Sequence, residues 1–394
     1  MEKKLYISYL NVTAALAVVL LHTNHKFWAY AEASYWNTAN IIEAVFYFAV
    51  PIFFMISGVT LIDYNQRYTT EAYFVKRIDR TFIPFLAWSL IEKLYMIIRH
   101  RQELPTFNWV YALLLVGLVF ILMAQKAYQS STMPIRTSVK VTTWLAIVYV
   151  GMRLIDSEST NFLNVINQLL HTQYVPIFWF FIPLFAMYLS IPVLSKIDTT
   201  NRQSVFGWGL LVVFLGDFVL RFVLSFSDVV HFNSNFHLPL FSGYLWFVVA
   251  GYYIDCYPLS VRFRRVIYVA GIVGLLSHII GTYYYSHSVG AVNSQFKGYL
   301  NVPSVLYAVA IFTWFKYHAK EWVTGLNQLV QWFASETFGV YLIHWMVINA
   351  AEYLLKINPH SIVYRTVGGV LIFIVSTLII KLLKRMPFVV EILP

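Results

Sequence analysis

Long apolar runs broken by short polar segments set the frame of this chain. The window that a helix needs to cross a hydrocarbon core, about 20 residues, fits at 5–25, 39–62, 82–98, 109–125, 141–155, 175–194, 205–224, 239–255, 266–285, 302–315, 338–355 and 362–382. The pattern predicts an all-α, polytopic transmembrane helix bundle of about 10–12 spans. It reads as a single membrane-embedded domain over 1–394, in which 109–155 is a possible inserted helical hairpin. The polar stretches Asp156–Thr172, Ser225–His237 and Ser286–Asn301 fall between spans.

Basic residues sort these loops. Most of the 28 Lys and Arg, among them Lys3, Lys4, Arg67, Arg136, Lys140, Arg202, Arg262, Arg264, Arg265, Lys320, Lys384 and Arg385, lie in alternate segments starting from the N-terminus. Cytoplasmic loops carry such an excess, so both termini are expected in the cytoplasm. The first apolar run lacks a small-residue cleavage site and reads as a retained span.

Composition agrees with that pattern: 59% of residues are hydrophobic, 12% are charged and the mean hydropathy is +0.65. A soluble domain of this length is excluded. The net charge of +10 follows from the loop bias and carries no nucleic-acid reading. A single cysteine, Cys256, leaves no disulfide framework and no cysteine metal site.

Candidate chemistry concentrates in the first two spans. The first carries Ser8, Asn11, His22 and His25. At 100° per residue, Asn11 and His22 are about 1100° apart, within about 20° of one face, and roughly 16 Å apart along the axis. Ser8 and His25 extend the stripe. A histidine within a membrane helix is expensive and points to function; a neutral imidazole can take a proton from an acceptor hydroxyl. The alternative is a histidine bonded to a neighbouring helix. Glu43, near the start of the second span, is placed to orient His22 or His25, or to sit as an interfacial carboxylate.

After the second span come Lys76, Arg77 and Arg80. Arg77 and Arg80 are three apart and share a helical face, where guanidinium groups make bidentate contacts to phosphate. Ordinary topology signalling is the alternative. Ser57-Gly58 permits close helix approach, and Ser57 joins Lys76, Arg77 and Arg80 as a donor-binding candidate. Asp217 and Arg221 are one turn apart and read as a structural pair. Glu92 and Lys93 neutralise each other or reach another helix, and His278 reads as a core histidine. No metal is expected, because the histidines sit on separate or ambiguous faces.

The motifs occur in an order that resembles the acyltransferase-3 family of integral-membrane acyltransferases. They are His22 closing Ala15-Leu16-Ala17-Val18-Val19-Leu20-Leu21-His22, then Phe53-Phe54-Met55-Ile56-Ser57-Gly58, then Arg77-x-x-Arg80 before Phe82-Ile83-Pro84. Trp179-Phe180 with Tyr188 and Pro192, Gly251-Tyr252-Tyr253, and Gly339-Val340-Tyr341-Leu342-Ile343-His344 follow. The resemblance spans nearly the whole chain. It implies a multi-pass protein of a bacterial-type plasma membrane that moves an acyl group, most often acetyl, from acetyl-CoA or another acyl-CoA. The hydroxyl of a cell-surface carbohydrate or lipid-linked glycan accepts it, directly or through an acyl intermediate.

The resemblance also implies that His22 is the essential base and that Arg77 and Arg80 hold the CoA phosphates. His25, His344 and Tyr341 are then substrate-binding or structural. The family's usual arginine and aspartate in the first helix are replaced here by Asn11 and Ser8, and its histidine before the Trp-Phe pair by Ile177. An Asn11 amide can still donate to a thioester carbonyl. Partners beyond acyl-CoA and a glycan are membrane lipids; no nucleic acid is implied. The competing class is a transporter of a glycan precursor or small solute, which twelve spans also suit.

Overall fold

A computed structural model describes residues 4–100, 105, 108–127, 133–156, 161–227, 229–230, 238, 240–319, 324–386 and 389–393. Lys3, Lys320 and parts of the polar loops, 157–160 and 231–237, lie outside them. The helices are α1 (Leu5–Thr23), α2 (Ser34–Phe46), α3 (Ala49–Leu61), α4 (Thr70–Arg77), α5 (Ile83–His100), α6 (Trp109–Ala127), α7 (Met133–Ile155), α8 (Phe162–Leu170) and α9 (Phe181–Ser195). They continue as α10 (Thr199–Val213), α11 (Leu220–Leu224), α12 (Tyr244–Cys256), α13 (Val261–Val289), α14 (Val302–His318), α15 (Thr324–Ala334), α16 (Thr337–Leu354) and α17 (Gly369–Leu383). Among the described residues there is no strand, as expected where every backbone polar group must be satisfied within lipid.

Among the described residues, eight segments are long and apolar enough to cross a membrane: Leu5–Thr23, Ser34–Gln66, Thr70–His100, Ile135–Ile155, Pro176–Ser195, Thr199–Leu224, Val261–Val289 and Tyr364–Leu383. The protein is therefore a multi-pass helical membrane protein. The remaining expected spans correspond to shorter or less apolar helices. α12 has 13 residues, about 20 Å at 1.5 Å per residue, short of a core about 30 Å thick. Its Phe247, Val248 and Val249 are fully enclosed by protein, so neighbours rather than lipid solvate it.

The described chain forms two compact units, one of Met1–Asp63 with Ser190–Lys381, the other of Tyr64–Leu189 with Leu382–Pro394. In the first, α1 packs against α3, α14, α15 and α16, and α3 packs against α12. The packing of α3 on α12 depends on reciprocal glycines. A β-carbon at Gly251 would lie 2.5 Å from Met55 Cα, and one at Gly58 would lie 2.8 Å from the Val248 carbonyl carbon. Small residues at such crossings let two backbones approach closely.

Two ionic clusters fix the end of the first unit where α1 begins and α3 ends. Lys4 donates to Asp255 at 2.5 Å, joined by the Tyr6 hydroxyl at 2.7 Å and Lys316 at 3.2 Å. Arg202, 3% exposed, donates to Asp63 at 2.7 Å, Tyr252 at 2.8 Å and the carbonyls of Ser195 and Ile197. Buried cations need this degree of satisfaction.

The second unit is built on α5, α7 and a Phe nest in which Phe85 touches Phe178, Phe181 and Phe185. The Trp88 indole donates to the Ile392 carbonyl at 2.8 Å, docking the C-terminal turn. α6 packs on α7 and turns large apolar side chains such as Leu113 (70% exposed) outward, as a lipid-facing helix does. Lys93 pairs with Asp156 at 3.7 Å rather than with Glu92, which is buried without a hydrogen-bond partner among the described residues.

Candidate active site

The last turn of α1 carries the candidate chemistry of the first unit. The α-helix ends at Thr23, with Asn24 as its C-cap, and His25 opens a separate 3-10 turn. His25 therefore leaves the expected stripe. The cause is Asn24: its side-chain amide donates to the Ala39 carbonyl at 2.9 Å and to Glu43 at 3.2 Å, pulling the chain off the helix axis.

His22 stays on the helix and meets His344 from α16. Its Nδ1 lies 2.5 Å from His344 Nε2, and the two rings are stacked with centroids 4.8 Å apart. The tautomers follow from the partners. His344 Nδ1 is 2.8 Å from the Tyr341 carbonyl and 3.1 Å from that of Val340. A carbonyl only accepts, so Nδ1 carries the hydrogen of a neutral His344 and Nε2 is its acceptor. His22 Nδ1 must then be the donor. A neutral His22 is left with a bare Nε2, on a ring only half-buried, while His344 is fully enclosed. That atom has the lone pair a general base needs.

Around this pair the structure adds residues that the sequence pattern did not single out. Trp345 stands edge-on to His22 at 5.9 Å and to His25 at 6.2 Å. Glu352 lies 3.7 Å from His25 Nδ1 and accepts from the Tyr364 hydroxyl at 2.8 Å. The signal was present: Trp345 and Glu352 are seven apart, two turns on one face, just after the Tyr341–His344 motif. Tyr341 stacks on His344 at 5.9 Å.

Glu43 does not orient either histidine. Its oxygens take Asn24 and, at 2.7 Å, the Lys297 ammonium. Lys297 is 1% exposed and also lies over Tyr47 at 3.7 Å and Trp28 at 4.6 Å. Burial holds its pKa below the usual lysine range, against the pull of the Glu43 carboxylate. Asn24 also accepts from Arg365 at 3.1 Å, and Arg365 further donates to Thr38 at 2.7 Å. A buried chain Arg365–Asn24–Glu43–Lys297 thus clamps the residue two positions after His22.

The other expected residues of this unit are more loosely placed. Asn11 is half-buried on α1. Ser8 is buried, and its hydroxyl has no hydrogen-bond partner among the described residues. Ser57 returns its hydroxyl to the Phe53 carbonyl at 2.9 Å.

The arginine pair belongs to the second unit and is judged there by itself. α4 is N-capped by Thr69, whose hydroxyl accepts from Ala72 N at 3.2 Å. It passes at Ile78–Phe82 into a π-helical turn. Arg77 closes α4 and Arg80 lies within the widened turn, so the pair does not share a regular α-helical face; Arg77 is half-buried and Arg80 exposed. π turns recur at functional sites. The Arg77 guanidinium is flanked by Tyr73 at 5.8 Å and Tyr188 at 5.5 Å, and its buried Nε has no hydrogen-bond partner among the described residues. At these distances the ring faces attract the guanidinium by cation–π interaction. Lys76 lies over Tyr68 at 3.8 Å. Asp79, between the arginines, is occupied by Lys140 at 2.7 Å.

Comparison with known proteins adds one finding. No curated protein and no solved structure gives a match. The family described as an acyltransferase domain, acyltransferase-3, matches residues 4–381, a stretch that takes in both the histidine pair and the arginine turn. The histidine pair at the end of the first helix and the arginine-bearing π turn are thus found within one family match that leaves only the extreme ends of the chain uncovered, and the chain belongs to the acyltransferase-3 family of membrane acyltransferases.

Proposed function

We propose that the chain is an O-acyltransferase of a bacterial-type plasma membrane, transferring an acyl group, in the first place acetyl, from acyl-CoA to a hydroxyl of a cell-surface or lipid-linked carbohydrate. The observation that carries this reading is the bare Nε2 of His22, oriented through Nδ1 by His344. In the proposed step Nε2 takes the acceptor hydroxyl proton and the oxygen attacks the thioester carbonyl. The carbon–sulfur bond breaks, and the thiolate leaves as CoA and recovers the proton. Arg77, with Arg80 and Lys76, takes the CoA phosphates, since ring-flanked and exposed cations suit a mobile polyanion. Both termini are cytoplasmic in this reading, which puts the donor end of the reaction inside.

Transfer of radiolabel from acetyl-CoA to membrane glycans tests the reading. Arg77→Ala with Arg80→Ala should lower CoA affinity by about 1.5–3 kcal/mol for each charge-assisted hydrogen bond removed, read by isothermal titration. Pantetheine, which lacks the nucleotide phosphates, should bind wild type and double variant alike. Equal CoA affinity in the two proteins would reduce the pair to a topology signal. Orientation has its own check. A cysteine at Gln66, in a Cys256→Ser background, should react with an impermeant maleimide only from the cytoplasm, and one at Asn293 only from outside. Labelling of both from one face would refute the orientation.

A further inference from the structure

A second site lies in the first unit, at the end of the bundle where α1 finishes. It is a cavity of about 570 Å³ bounded by the turn leading into α11, the residues before α12 and the loop between α13 and α14. Its volume falls in the range of small-molecule sites, about 300–1,000 Å³. Asp217 and Arg221 form its charged wall and are bonded to each other. Asp217 and Phe218 sit on a π-helical turn, Phe214–Val219, a feature that recurs at functional sites. Gln295 contributes an amide and Phe222 a second aromatic ring.

The wall is braced. Gln295 donates to the Ser225 carbonyl at 2.7 Å, and Asn301 ties the loop by donating to the Gln295 carbonyl at 2.9 Å. Phe296 wedges the loop against Phe222 at 5.3 Å and Phe226 at 5.4 Å. The same loop carries Lys297, whose ammonium is held by Glu43 and so belongs to the clamp next to His22. One short loop therefore forms both a wall of the cavity and a support of the candidate base.

Resting on the acyltransferase reading above, we propose that this cavity binds the acceptor, a short oligosaccharide that presents vicinal free hydroxyls. The paired Asp217 and Arg221 are neutral as a unit, so the wall favours an uncharged ligand over an ionic one. A carboxylate accepts and a guanidinium donates, which matches adjacent hydroxyls that do both. Phe222, half-buried on the lining, offers apolar surface to the C–H face of a pyranose, with the buried Phe218 behind the wall. The oligosaccharide arrives free or carried on a lipid; the recognising chemistry is the same.

The test uses the full-length protein in detergent on a printed array of defined neutral, amino-sugar and uronic oligosaccharides, without CoA. A second array carries the same glycans on a polyprenyl lipid. Wild type should bind neutral glycans, and the stronger array identifies the source. Ser242→Trp fills the cavity from an exposed position and leaves both members of the ion pair in the chain, and Arg221→Leu removes the donor. Arg221→Leu should weaken glycan binding about tenfold or more, the effect of losing one charge-assisted bond, and Ser242→Trp, by excluding the ligand, at least as much. In the transfer assay the acceptor KM should rise by the same factor while the acyl-CoA KM stays put. Undiminished binding by folded Ser242→Trp, or no glycan binding by wild type, overturns the cavity assignment and leaves transfer from acyl-CoA standing. Glycan binding by a wild type that moves no label from acetyl-CoA keeps the cavity and removes the enzymatic reading.

Discussion

His22→Ala should lower kcat for acyl transfer by about 10²–10⁴-fold, the usual loss on removing a general base, with CoA binding retained. The expectation rests on the tautomer chain: the Tyr341 carbonyl fixes the hydrogen on His344 Nδ1, His344 Nε2 accepts from His22 Nδ1, and His22 Nε2 is left bare. The same chain separates a positioning role for His344 from a merely structural one. His344→Phe keeps the volume but removes the acceptor, so the acidic limb of the pH–rate profile should shift. His344→Gln, with an amide oxygen in reach of His22, should restore it in part. A folded, inserted His22→Ala protein that transfers acyl groups at the wild-type rate would remove His22 from the mechanism.

Gly251→Val carries the largest expected effect on stability. Its side chain would be driven into the backbone of Met55, and backbone cannot rotate aside. The expected loss is at the top of the ~1–3 kcal/mol range for overpacking or beyond it, read as a fall in the thermal midpoint of the purified protein. Gly117→Ala is the contrast. That glycine lies in α6 with nothing among the described residues within 4 Å of the position a β-carbon would take, and alanine in a helix interior gains about 0.5–1 kcal/mol over glycine. If the two substitutions behave alike, the glycine crossing between α3 and α12 is not what holds those helices together.

The helical fold was legible because the hydrocarbon core imposes a length and a composition on what crosses it, and 5–25 or 362–382 satisfy both unaided. α12 was harder. Its apolar run looks like a span, yet it has 13 helical residues, because being wrapped by protein and being wrapped by lipid favour the same side chains. The family match over 4–381 agrees with the resemblance read from the ordered motifs.

The reactive end was partly visible. His22 and His344 stood out as ionisable groups in apolar helices, but periodicity orders residues along one helix and says nothing about which two helices meet. Glu43 shows the limit: its place near the second span's start suggested a histidine partner, while the structure gives it Asn24 and Lys297, the latter 254 residues away. Arg365 and Glu352 give no sign of their partners for the same reason. The regular face expected for Arg77 and Arg80 failed locally, since a π turn leaves no simple period in the sequence.

The pairs that define the reactive end have a consequence for how the protein is made. His22 and His344 are 322 residues apart, and Asn24 and Arg365 are 341 apart. Chains emerge from the ribosome at roughly 5–20 residues per second, so α1 waits many seconds in the bilayer before its partners exist. Throughout that interval its histidine has neither the acceptor that sets its tautomer nor the clamp that holds its turn. On the proposed mechanism, competence therefore arrives late, with α16 and the turn before α17, and a nascent chain that stalls before them would transfer nothing.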